Sequence, residues 1–506
     1  MISFERWKDG FVMTVEGLRV LRHASSSPAI FIWVATTKAV LIKAEGRKDG
    51  KGMSWRNPGA CEIINEGPEL TVLEFGSFCT IRISYTERVL HFRFFPSPAS
   101  PEGIRIRFGA NPKEKLFGAG PSTNYDLKGR SFQQTGSGSP VSPRGDPTIM
   151  SNLGAWIHVD TEESVGWHFR ASVTEVSCSS LPREIALGFG KTQSMGMELL
   201  TRYKAGKLVS AQDLGHTTRS GEGAGPGKLQ RGRIPEALQA GLVSDLRGGG
   251  ENPAIPTQEA AALEGLAPCA VVFDGENGRN AGSLVLEGET WEKTLEKAFA
   301  FPLSFGFGTT KSAENLVTAI LSLSLTGMGN VFVPVEAPSG KKAESDGRGM
   351  EKEAAFTLEI APFGPLFVVH GPTQPRDEAL ARRVAAAAKV YEMLKPYREF
   401  CSRKWVKDGI PTLIHPALFY RDEDSLWEYR DQYMFGPDML IAPTSDAGAR
   451  RLCLPRDEWI HLWTSRRYRG GETVVDAPRG KPAVFYRSGS EFAGLFDSIR
   501  QKATRF

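Results

Sequence analysis

Between Gly436 and Arg487 the sequence reads GPDMLIAPTSDAGARRLCLPRDEWIHLWTSRRYRGGETVVDAPRGKPAVFYR. Its apolar pieces, Met439–Ala442, Leu452–Leu454 and Val484–Tyr486, are too short for helices and are separated by Pro, Gly and Asp turn signals. Trp459 to Trp463 alternates large apolar residues with others, the two-residue period of a half-buried strand. A chain with this stretch must close it as antiparallel sheet, and a β-sandwich is expected over 406–506.

The first 205 residues carry the same signal. Ile30–Val34, Leu70–Phe75, Thr80–Tyr85 and Val89–Phe95 are β-branched and aromatic runs between turns. Gly103–Phe108 alternates strictly, which puts Ile104, Ile106 and Phe108 inward and Arg105 and Arg107 outward. Trp156–Asp160 and Val165–Phe169 read as a hairpin. Many short strands without intervening helices predict an N-terminal β-sandwich over 1–205. From 206 to 405 the character changes. Gly-rich charged stretches at 219–228, 247–252 and 339–353 read as disordered. Helical periodicity marks Thr290–Phe301, Ala313–Leu325 and a long element from Asp377 to Val406 that Pro396 should kink. The fold class expected is multidomain, α/β plus all-β.

Basic residues number 62 against 58 acidic ones, a balance that gives no case for nucleic acid. Six scattered cysteines without a C-x-x-C pair read as reduced thiols. The N-terminus lacks an apolar signal core and no window of eighteen apolar residues occurs, so the expectation is a cytoplasmic protein with no membrane partner. Gly188–Thr192 ends in Gly-Lys-Thr, but Ile185 stands where a phosphate loop needs its first glycine. H-E-x-x-H and G-x-S-x-G are absent from the sequence, which removes the usual zinc-peptidase and serine-hydrolase readings. Arg466-Arg-Tyr-Arg469 reads as a solvated basic turn.

The order GPDMLIAP, LPRDEWIHLWT, YRGG and APRGKPAVFYR resembles the C-terminal sandwich of glycoside hydrolase family 31, above all its sulfoquinovosidase branch. Lys115–Gly120 followed by Tyr125–Arg130 is similar to that family's F/Y-G-x-G-E and F-D-L-R-G segments, with Pro121 in place of the Glu. The resemblance implies a retaining α-glycosidase on a (β/α)8 barrel between two sandwiches, a carbohydrate substrate, and neither cofactor nor metal. Two carboxyls must then face one anomeric carbon, about 5–5.5 Å apart. Val271–Glu276 is similar to the branch's A-D-F-G-E, which would make Asp274 the nucleophile; equally, Asp274 opens a strong turn signal. For the acid/base, Gly288-Glu289 matches the family's G-D, whereas counting back without gaps from Thr326-Gly327 puts Pro302 there. Phe363–His370 resembles F-x-P-x-x-R-x-H and keeps His370 as a substrate-binding residue, but the Arg position reads Val368 and the Asp of H-S-D-I-G-G reads Pro334. A complete barrel takes about 250 residues, and roughly 200 stand between the sandwiches here. The expectation is a truncated TIM barrel and no competent active site in the chain as written.

Overall fold

The computed structural model divides into two compact units, Met1–Gly120 with Asp126–Leu200, and Pro121–Tyr125 with Thr201–Phe506. The structure describes residues 2–35, 53–59, 61–65, 70–76, 78–97, 101–120, 126–134, 147–213, 273–274, 281–282, 300–302, 313–327, 329–333, 335–336, 354–365, 367, 369–370, 378–444 and 448–503.

The first unit is built of antiparallel sheets. A three-stranded one joins Ile2–Trp7, Gly10–Val15 and Leu18–His23. A six-stranded sheet runs in the order Ser131–Gln134, Val165–Phe169, Val173–Cys178, Gly103–Gly109, Ile30–Ala35, Met53–Arg56. An eight-stranded sheet runs Leu116–Gly118, Thr148–Ser151, Ala155–Asp160, Glu184–Phe189, Val89–Pro96, Cys79–Thr86, Leu70–Phe75, Glu62–Asn65. Their alternate residues fill one shared core that includes Phe75, Ile81, Phe92, Ile104, Ile106, Phe108, Val165 and Ile185. This is the expected sandwich, with the strand edges bonded across long sequence distances. Ile104, Ile106 and Phe108 are buried, while Arg105 and Arg107 turn outward to share Glu175 at 3.4 and 2.7 Å.

One expectation is overturned. Ala155–Asp160 and Val165–Phe169 do not form a hairpin: the first pairs with Glu184–Phe189 and the second with Val173–Cys178, in different sheets. The link between them is a corner, held by Arg183 N–H to Asp160 O at 2.9 Å and Glu163 N–H to Thr161 Oγ1 at 3.1 Å. Both strands bury residues in the same core, and a sandwich satisfies that from opposite sides.

The D-L-K-G-R segment is a strapped turn. The Asp126 carboxylate accepts from Leu116 N at 3.2 Å and Lys128 N at 3.0 Å, and Leu127 N donates to Leu116 O at 2.8 Å. Asp126→Ala removes an acceptor for two backbone donors and is expected to cost about 1–2 kcal/mol. Asp126→Asn should retain most of it. Urea titration of the three proteins checks this, and equal midpoints would refute the strap.

The second unit holds the helices and a mixed set of strands. Ala313–Leu325 is buried wherever its side chains are described, from Leu316 onward, as expected for a helix apolar on every side. Ser324 donates to Ile320 O and Thr326 to Leu323 O, both at 2.8 Å, while Thr318 donates outward to Arg430 O at 3.3 Å. Lys204, fully buried, donates to Thr326 O at 2.6 Å and places a cation at the helix's negative end. The long helix expected from 377 to 406 is two, Glu378–Met393 and Lys395–Asp408, broken at Leu394. Pro396 sits in the first turn of the second, where its missing N–H costs nothing, and Gly409 ends it at φ 67°. Thr290–Phe301 was expected as one helix; Ala300 and Phe301 belong instead to the strand Ala300–Pro302, and 290–299 lie outside the described residues.

The C-terminal strands are hydrogen-bonded in one six-stranded antiparallel order, Leu413–Ile414, Tyr433–Phe435, Met439–Ala442, Ala483–Arg487, Gly448–His461, Arg467–Ala477. The register slips between Leu454 and Glu458. A Cβ at Gly470 would lie 2.5 Å from Pro455 O, so this bend is built around a glycine that lets the strands approach. Trp459 is fully buried with its indole N–H on Pro455 O at 2.8 Å.

Candidate active site

Parallel pairing in the described residues is confined to four short segments. Ala300–Pro302 pairs with Asn330–Phe332, and Val335–Glu336 pairs with Val369–His370. The Ala313–Leu325 helix lies between the first two strands in sequence, and the helical residues 354–363 lie between the second two. Parallel neighbours require such a crossover. These are two β-α-β steps that follow one another in the chain, each a separate two-stranded pair among the described residues. In barrels the reacting groups sit at the C-terminal ends of such strands. Those ends here are Pro302, Phe332, Glu336 and His370; Pro302 stands opposite Phe332 and Glu336 opposite His370 in register.

The base of this region is fixed by packing. Gly329 precedes the Asn330–Phe332 strand, and a Cβ there would lie 2.1 Å from the Trp405 ring. Gly329 O accepts both the N–H and the hydroxyl of Thr412 at 2.9 Å. The helical stretch 354–360 presents Glu359, 3% exposed, whose carboxylate takes Thr444 N–H at 3.0 Å and Gly480 N–H at 3.4 Å. Burial pushes this carboxyl up to about 7, against the pull of the two N–H groups and of Arg479 and Arg383. Glu359 thus fastens the middle of the chain to loops of the C-terminal sheet.

Of the residues singled out from sequence, His370 is placed at a strand end as described. Asp274 lies in a short antiparallel pair, opposite Ala281, and not among the parallel strands. Glu289, Pro334 and Val368 lie outside the described residues. Glu336 carried no signal in the sequence, because its partner is 34 positions away and only long-range pairing brings them together. No group of three or more metal-ligating side chains occurs among the described residues.

The signature between 436 and 487 is structural wiring. Gly436 adopts φ 56°, and a Cβ there would lie 2.3 Å from Cys401 Sγ. Asp438 accepts from Arg487 at 3.4 Å and Ser490 at 3.0 Å, while Arg487 also reaches Asp457 at 2.7 Å. His461 Nδ1 faces Thr464 Oγ1 at 2.8 Å, and burial holds this imidazole down at about 4. Trp463, half-buried, donates to Pro482 O at 2.7 Å.

Comparison with known proteins agrees with this wiring. The glycosyl hydrolase family 31 C-terminal domain matches residues 409–490. The chain is 33% identical over 195 residues to a sulfoquinovosidase of Escherichia coli (strain K12), covering 37% of this chain and 28% of that protein. It is 34% identical over 199 residues to the sulfoquinovosidase of Agrobacterium fabrum, covering 37% and 30%. The matched stretch is therefore under a third of either relative's length. In fold, a family 31 sulfoquinovosidase from E. rectale, solved with an aza-sugar inhibitor, superposes with a TM-score of 0.67 over 99% of both chains at 19% identity. A family 31 α-xylosidase from a soil metagenome, complexed with xylose, superposes at 0.52 over 98% of this chain and 100% of that one, at 14% identity. Residues 409–490 thus match the C-terminal domain of glycosyl hydrolase family 31, part of the chain is similar to two sulfoquinovosidases, and the solved structures share its fold.

Proposed function

We propose that the chain hydrolyses α-glycosides, an α-glucoside or an α-sulfoquinovoside, with retention and without metal, as a cytoplasmic enzyme. The observation that carries this reading is the pair of adjacent parallel strands ending in register at Glu336 and His370, in a chain whose residues 409–490 match this family's C-terminal domain. In our reading residues 1–205 and 406–506 frame a barrel-derived middle at 206–405. Asp274 is the nucleophile: its carboxylate attacks the anomeric carbon, and the acid/base, Glu289, protonates the leaving oxygen and then takes a proton from water. His370 binds the sugar. The five described cysteines are free thiols, which supports a reducing compartment.

A second reading, a truncated and inactive relative that binds carbohydrate, is favoured by Pro302, which ends a parallel strand where one alignment expects the acid/base. One experiment separates the two. The full chain is assayed on aryl α-glucosides and α-sulfoquinovosides, with the anomer of the product followed by NMR. Turnover with retention, unaffected by EDTA and lost by orders of magnitude in Asp274→Asn, is the expected result. No turnover with either substrate, together with calorimetric binding of the sugar, establishes the second reading, and inverted product or loss in EDTA refutes the mechanism.

A further inference from the structure

The C-terminal sheet carries a cleft of about 250 Å³ lined by Glu458, Trp459, Arg467, Tyr468, Arg469 and Ser488. It lies where the bulged strand Gly448–His461 meets the edge strand Arg467–Ala477. The register sets Glu458 opposite Arg469 and Ile460 opposite Arg467, so both arginines and the glutamate share one face. Arg467, Arg469 and Glu458 are exposed. Neither guanidinium has a hydrogen bond or ion pair among the described residues. Glu458 is held instead from the other side, by the Ser488 hydroxyl at 3.4 Å, and Ser488 N–H donates to Glu458 O at 2.8 Å. Other arginines of this domain are spoken for: Arg450 by Asp431, Arg451 by Glu472, Arg487 by Asp457 and Asp438.

We propose that this cleft binds an anionic monosaccharide, one sugar ring bearing a sulfate or carboxylate group. Two guanidiniums against one carboxylate leave a net positive charge, and the planar guanidinium fork matches the oxygens of such a group in pairs. Glu458 adds what a bare anion does not need, an acceptor for sugar hydroxyls. The volume is below the range usual for larger organic ligands, which limits the occupant to about one ring. The site is independent of the catalytic reading, since none of its residues lies at the parallel strands.

The test is a calorimetric titration of the full chain with glucose 6-sulfate, glucose and sodium sulfate at low ionic strength. Glucose 6-sulfate should bind about tenfold more tightly than glucose or inorganic sulfate. The Arg467→Ala/Arg469→Ala variant should weaken it about tenfold, and added salt should weaken it too. Glu458→Ala should tighten inorganic sulfate while removing the preference for the sugar. The Arg467→Ala/Arg469→Ala variant should leave any turnover of aryl α-glucosides as in the parent, which separates this site from the catalytic one. Unchanged affinity in the double arginine variant overturns the proposal. So does sulfate binding as tightly as the sugar sulfate, which would mean an adventitious ion only. Both arginines are exposed, so their removal leaves the fold intact.

Discussion

Tyr397→Ala is expected to lower the unfolding free energy by about 5 kcal/mol and to leave the C-terminal sheet largely unfolded. The tyrosine is fully buried on the Lys395–Asp408 helix. Its ring meets those of Phe435, Phe492 and Phe496 at 5.3, 5.2 and 5.1 Å, each edge-on. Removing such a ring costs about 3–5 kcal/mol in transfer and cavity terms. The hydroxyl does separate work: it donates to Phe435 O at 2.7 Å and accepts from Asp438 N at 2.8 Å. Losing it orphans two buried backbone groups across the turn at Gly436, which adds about 1–2 kcal/mol. Tyr397→Phe isolates that second part and should cost only this smaller amount. Denaturant midpoints of the three proteins decide it. Were Tyr397→Phe as damaging as Tyr397→Ala, the hydroxyl bridge and not the ring would be the anchor.

The second large effect is a dependence of stability on pH that changes form in one variant. Glu359 binds its proton at about 7 in the folded chain against an ordinary 4.5, so its contribution is full below 4.5 and is lost as pH rises through 7. His461 is held at about 4 against 6.5, so its contribution is full above 6.5 and is lost as pH falls through 4. Each shift amounts to about 3 kcal/mol by linkage. Between 4.5 and 6.5 the two slopes oppose each other and this pair leaves stability nearly level. Glu359→Gln removes the falling slope and leaves the rise of His461 uncovered. The difference between variant and parent should therefore grow in the variant's favour by about 3 kcal/mol from pH 4.5 to 7.5. Thermal or urea unfolding at several pH values measures it, and a difference independent of pH would show that Glu359 is not the titrating group.

Much of the N-terminal sandwich was legible because its strands announce themselves locally. The alternation at Gly103–Phe108 gave both the strand and its inward face, since a period of two leaves no choice once one side is buried. Which sheet a strand joins is not local. The Trp156 and Val165 strands flank a short polar link that suits a hairpin and a sandwich corner equally. In the C-terminal stretch the unusual wording pointed to one domain type, which the match over 409–490 bears out, and the structure shows what several of its residues do: Gly436, Asp438, Trp459, Gly470 and Arg487 serve packing or hydrogen bonds. The parallel strands were least legible. Glu336 comes opposite His370 only through pairing between strands tens of residues apart. Tyr397 gave no signal either, because a tyrosine on a helix face looks the same whether its hydroxyl meets water or a buried turn.

The strand Glu184–Phe189 is flanked in its sheet by Ala155–Asp160 on one side and Val89–Pro96 on the other. The strands from Glu62 to Pro96 pair with their sequence neighbours and can zip together as soon as they leave the ribosome. Their last member must then wait for a partner that follows it by about ninety residues, roughly 5–20 s of synthesis. Throughout that interval Val-Leu-His-Phe-Arg-Phe-Phe stands as an open edge, guarded along its length by one arginine, Arg93. A slow stretch of translation between residues 96 and 184, or a chaperone engaged there, would bear on the yield of this protein more directly than any change near its candidate active site.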